Sequence, residues 1–80
     1  MSGDRLLPAR SLPRLGETIR TLRRERATTQ AALAATAGVS RRWVGEVEAG
    51  TRTNIELDRV LRVLDALDAS LVVRDDRATR

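Results

Sequence analysis

Cysteine and histidine are both absent from the 80 residues, and Trp43 is the one aromatic residue. Without cysteine there is no disulfide framework, thiol nucleophile or zinc finger; without histidine there is no imidazole acid–base group. No apolar run nears the ~20 residues a membrane span needs. Met1 to Pro13 lacks the continuous apolar stretch of a secretory signal. Lysine is missing too, all 15 cations being Arg, and with the many alanines this reads as the mark of a GC-rich genome. No glycine-rich phosphate loop is present, because Gly38, Gly45 and Gly50 do not fit its spacing. The paired carboxylates Asp75 and Asp76 sit beside Arg74 and Arg77 in a tail, with no pocket to raise a pKa. These absences argue against an enzyme, a cofactor, a metal site, a small-molecule substrate and a membrane partner.

What remains is a soluble, cytoplasmic, mostly helical single domain. Apolar residues make up 41% of the chain, enough for a core, although a chain this short buries only ~60% of its unfolded surface. The net charge is +4, and its placement matters more than its size. Residues 15–54 carry seven Arg against four Glu, and residues 1–14 carry three Arg against one Asp. Residues 55–80 carry five Arg against six acids, a net −1. A polyanion is therefore expected to meet the front and middle of the chain.

Residues 1–12 show no period and read as a flexible arm. A domain is expected over 13–69. Leu15, Ile19 and Leu22 recur on one helical face, which predicts a first helix from Pro13 to about Arg26. Thr29 is placed to cap a second, alanine-rich helix over Gln30 to Ala37, ended by Gly38. Ser40 is placed to cap a third, from Arg41 to about Ala49, closed by Gly50. Thr53 with Glu56 fits a capping box. The fourth helix, with Leu57, Val60, Leu61, Leu64 and Leu67, reads as the central packing element. Residues 70–74 are short and β-branched and predict a strand, followed by a charged tail over 75–80. A lone strand leaves its backbone groups unpaired, so Leu71, Val72 and Val73 are expected to pair with the same strand of a second copy across a two-fold axis. The alternative is that these residues merely end the fourth helix and pack on the core.

A short helix, a glycine turn and a second short helix over Gln30 to Ala49 form a helix-turn-helix pattern. Away from Val44, the third helix presents Arg42, Gly45, Glu46 and Ala49, with Arg41 at its N-terminal edge. Small residues allow close approach to a major groove, and Arg makes bidentate bonds to guanine. Glu46 is placed to accept from a cytosine amino group or to repel wrong sequences. Arg52 lies just past the helix as a phosphate contact or a solvated residue. Trp43 is read either as core packing or as a contact to sugar or a thymine methyl.

The run Thr29-Gln30, Leu33-Ala34, Ala37-Gly38-Val39-Ser40, Val44, Glu48 and Gly50 resembles the Cro and lambda-repressor type (XRE) helix-turn-helix family. The resemblance covers about residues 15–67. Ser40-Arg41-Arg42-Trp43, Leu57 to Leu67 and the following apolar segment resemble HipB-type antitoxins in particular. It implies an all-α fold of four to five helices with a short C-terminal strand pairing across a homodimer. It also implies a repressor of double-stranded operator DNA that neutralises a HipA-type serine/threonine kinase toxin; a stand-alone regulator is the alternative. Carried over by position, Gln30 and Ser40 are phosphate contacts, Arg41 and Arg42 reach base edges, and Arg23 pairs with Glu48. The family often has Ser at 45 and Gly at 68, where this chain has Gly45 and Asp68.

Overall fold

Hydroxyl caps open three of the four α-helices in the computed structural model, which describes residues 5–79. Ser11 accepts from the Arg14 N–H (3.2 Å) and starts α1, Leu12–Glu25. Thr29 accepts from the Ala32 N–H (3.0 Å) and starts α2, Gln30–Ala37. Ser40 accepts from the Trp43 N–H (3.0 Å) and starts α3, Arg41–Ala49. Each cap satisfies an amide that the helix itself leaves unpaired. Gly38 and Gly50 end α2 and α3 at φ 73° and 72°, a left-handed conformation that costs side-chain-bearing residues ~1–2 kcal/mol. At the end of α4, Leu57–Ala66, Asp68 adopts the same conformation at φ 56°.

The two hydroxyl caps expected at Thr29 and Ser40 are thus present, and α1 begins one residue before Pro13. The capping box expected of Thr53 and Glu56 does not form. Glu56 is itself the cap residue of α4 and makes no side-chain cap bond; its carboxylate is taken up by the Trp43 indole and Arg52 instead.

Helix α3 packs against α1 on one side and α2 on the other, and α2 also packs on α4. The core is aliphatic apart from Trp43, with Ile19, Leu33, Val44, Val47, Val60, Val63 and Leu67 almost fully enclosed. Helix α4 departs from expectation. Val60, Val63, Leu64 and Leu67 face the core, but Leu57 and Leu61 are 58% and 46% exposed. Its apolar stripe is wider than the surface that α2 covers.

The expected strand over 70–74 is not formed; among the described residues there is no strand. The reason is a missing partner, since a ladder needs a second strand and the described residues supply none. Leu71, Val72 and Val73 are exposed, Val73 to 91%. Of the expected arm, residues 1–4 lie outside the described residues and Leu12 belongs to α1. Residues 5–11 are fastened along α1, with Arg5 on Glu25 (2.7 Å) and the Thr18 hydroxyl donating to the Pro8 carbonyl (2.6 Å). Arg10 and Arg74 both reach Asp76 at 2.7 Å, which opens a short 3-10 turn, Asp76–Thr79, within the expected tail; Arg80 lies outside the described residues. No helix among the described residues is long and apolar enough to cross a membrane.

Candidate nucleic-acid interface

Helix α3 is amphipathic, and its two faces do different work. Trp43, Val44, Val47 and Glu48 are buried. Arg41 and Arg42 are exposed directly after the exposed Ser40 cap, at the positive end of the helix dipole. The Arg42 side chain is 87% exposed and ion-paired to Glu46, Nε to Oε2, at 3.0 Å. The Arg41 side chain makes no hydrogen bond or ion pair among the described residues.

Of the two readings of Trp43, core packing and a DNA contact, the structure supports the first. It is only 2% exposed, and its indole N–H donates to Glu56 Oε1 at 3.0 Å. A ring enclosed in the core has no free edge for a sugar or a thymine methyl, so it packs rather than reads. Arg52 is also tied inward. Its Nη1 meets Glu46 Oε1 at 3.0 Å, its Nη2 meets Glu56 Oε1 at 3.4 Å, and its Nε donates to the Asn54 carbonyl at 3.3 Å. Glu46 and Glu56 are held below their ordinary carboxyl values, the first chiefly by Arg42 and the second chiefly by the Trp43 indole.

Beneath this face, Arg23 and Glu48 form the expected pair. Two parallel bonds join them, Nε to Oε2 at 2.7 Å and Nη2 to Oε1 at 2.9 Å. The side chains are 12% and 3% exposed. Arg23 Nη1 also donates to the Thr28 carbonyl (2.8 Å), and Gln30 Nε2 donates to Glu48 Oε1 (3.1 Å). Burial pushes the Glu48 carboxyl up, but the bonds from Arg23 and Gln30 outweigh it and leave the group below its ordinary value. This knot ties α1, the α1–α2 turn, the start of α2 and α3 together. Gln30 is thereby held at the α2 N-terminus, half-buried, rather than free on the surface.

Gly45 also sits on the outward side. A Cβ there would lie 3.5 Å from Gln30 Oε1, an ordinary contact. Gly45→Ala is therefore expected to stabilise the fold by ~1 kcal/mol through helix propensity alone, read as a rise in melting temperature of about 4–8 °C. A fall would mean that the glycine is needed for space that the structure does not reveal.

The helix-turn-helix domain family matches residues 14–77. Among solved structures, the restriction-modification controller protein C.AhdI from Aeromonas hydrophila is 37% identical, with a TM-score of 0.69, over 74% of this chain and 88% of that chain. No curated protein matches the chain.

Proposed function

We propose that this chain, which belongs to the helix-turn-helix domain family and is a DNA-binding regulator similar to a restriction-modification controller protein, is a sequence-specific transcriptional repressor that binds its operator as a homodimer. The observation that carries the reading is the outward face of α3, where Arg41 and Arg42 stand exposed on a helix whose other face is locked in the core. Affinity comes from arginine–phosphate contacts and counterion release. Sequence preference comes from Arg41 and Arg42 in the major groove. Ser40 and the α2 terminus at Gln30 set register on the backbone.

The dimer is supported by apolar surface that the single chain leaves uncovered: Leu57 and Leu61 on α4, and Leu71, Val72 and Val73 after it. A two-fold partner covers like with like, and places two α3 helices about one DNA turn apart, ~34 Å. The strand pairing of Leu71 to Val73 belongs to that assembly.

The likeness to C.AhdI favours a controller of a neighbouring restriction–modification operon. The Ser40-Arg41-Arg42-Trp43 run and the apolar C-terminal segment support a second reading, an antitoxin that also holds a HipA-type kinase. Co-purification with the adjacent gene product separates the two.

The test of operator binding is a gel shift on the chain's own upstream DNA and on random duplex at two salt concentrations. Arg42→Ala is expected to cost about 1–3 kcal/mol on the preferred duplex and little on random DNA, while Gln30→Ala weakens both alike. Equal loss on both duplexes for Arg42→Ala would remove its base-reading role.

A further inference from the structure

We infer that Glu46 is a positioning residue for sequence discrimination: its carboxylate steadies Arg42 from behind, so that the guanidinium presents its two terminal nitrogens outward as a fork. The inference rests on the operator-binding reading above.

The geometry is specific. Glu46 contacts Arg42 through Nε, on the inner edge of the guanidinium, and neither terminal nitrogen of Arg42 has a partner among the described residues. Those two nitrogens are the ones a guanine O6 and N7 engage end-on. Glu46 is itself held, because its other oxygen receives Arg52 Nη1 at 3.0 Å. Arg52 is fixed in turn by Glu56 and the Asn54 carbonyl. Glu56 accepts from the enclosed Trp43 indole. A continuous chain of contacts thus runs from the core through Glu56, Arg52 and Glu46, and ends at Arg42.

The energetics favour this role over simple stability. An exposed i,i+4 pair stabilises a helix by only a few tenths of a kcal/mol, and a cation preceding the acid is the weaker orientation. What the pair supplies is order in a long side chain that otherwise samples many rotamers, so less entropy remains to be lost on reaching a base. The carboxylate also partly offsets the positive charge of Arg42. It weakens Arg42 towards phosphate while leaving its fork free for a base edge. Non-specific binding is thereby held down and preferred binding is preorganised.

Glu46→Gln removes the charge and weakens the brace. It is expected to bind random duplex several-fold more tightly, with a salt slope steeper by about 0.9 for each Arg42 released to phosphate. It is also expected to bind the preferred duplex more weakly, so the ratio of the two affinities falls about tenfold or more. Glu46→Asp keeps the charge but is too short to serve both arginines; its random-duplex affinity should stay near wild type while the ratio falls. Both variants are read by titration on a duplex selected from a random library and on a scrambled duplex, with thermal melts to verify folding. A Glu46→Gln chain that discriminates as well as wild type, or that shifts both duplexes by one common factor, overturns the inference while leaving operator binding standing. A wild-type chain that holds both duplexes equally overturns the operator reading itself, and this inference with it.

Discussion

Arg23→Ala is expected to cost about 3–5 kcal/mol at pH 7, a large share of the about 4–12 kcal/mol available to a chain of this length. The cost is not the value of one ion pair. Removing Arg23 leaves the Glu48 carboxylate enclosed with only Gln30 to donate to it, and leaves the Thr28 carbonyl without its side-chain donor. The sign with pH follows. In the wild type, the Glu48 carboxyl lies below its ordinary value, so its stabilisation is fully present above the unfolded value of about 4.3. It is lost as pH falls through the lower, folded value. In the variant, burial without the guanidinium pushes Glu48 upward, and protonation relieves the penalty. The deficit of the variant should therefore shrink between neutral pH and about pH 4. Urea melts at both values, followed by fluorescence of Trp43, the one aromatic residue and a buried one, measure it directly. A deficit that stays constant with pH would mean that Glu48 finds water or another cation. Replacing both partners at once, as Arg23→Met with Glu48→Leu, should recover most of the loss, since an apolar pair needs no compensation.

What could be read in advance divides along a physical line. Local signals were legible. Thr29 and Ser40 cap, and Gly38 and Gly50 terminate, because these devices depend on a few adjacent backbone groups. The Arg23–Glu48 contact was reached only through resemblance, since nothing local links two residues on different helices. Where competition for a side chain decides, local reading fails. Thr53 and Glu56 satisfy the capping-box pattern, but the Trp43 indole and Arg52 hold the Glu56 carboxylate. Helical periodicity does not settle Trp43 either, because a residue at the rim of a helix face is assigned by what packs beside it. On α4, periodicity put Leu57 and Leu61 in the core together with Val60 and Leu64; the helix is apolar over a wider arc than its neighbours cover. The 70–74 segment shows the same limit, since β-propensity expresses itself only when a neighbouring strand is available. The exposure of Arg41 and Arg42 was legible, two arginines placed directly behind a cap on the outward face of α3. The brace of Glu46 on Arg42 and Arg52 was not, because it depends on where the loop after Gly50 returns Arg52.

Gly16→Ala is expected to be the most damaging single-methyl change in the chain. Here α1 crosses α3 so closely that a Cβ would run into the Val47 carbonyl oxygen and crowd the Glu48 Cα. The obstacle is backbone inside a helix, so it cannot swing aside as a side chain would. Overpacking of this kind costs typically ~1–3 kcal/mol, and an unyielding neighbour puts the expected loss near ~3 kcal/mol despite the ~1 kcal/mol that alanine gains over glycine in helix propensity. Relief requires the two helices to part. Parting them moves Val47 and Glu48, hence the bidentate bond to Arg23, and with them the tilt at which α3 offers Arg41 and Arg42. Stability and DNA binding should therefore fall together, and adding Arg23→Ala to Gly16→Ala should cost less than the sum of the two separately, because both act on the same contact. Additive losses in urea melts would show that the close crossing at Gly16 and the ion pair beside it are independent. A Gly16→Ala chain melting at or above wild type would show that α1 and α3 are not in backbone contact at all.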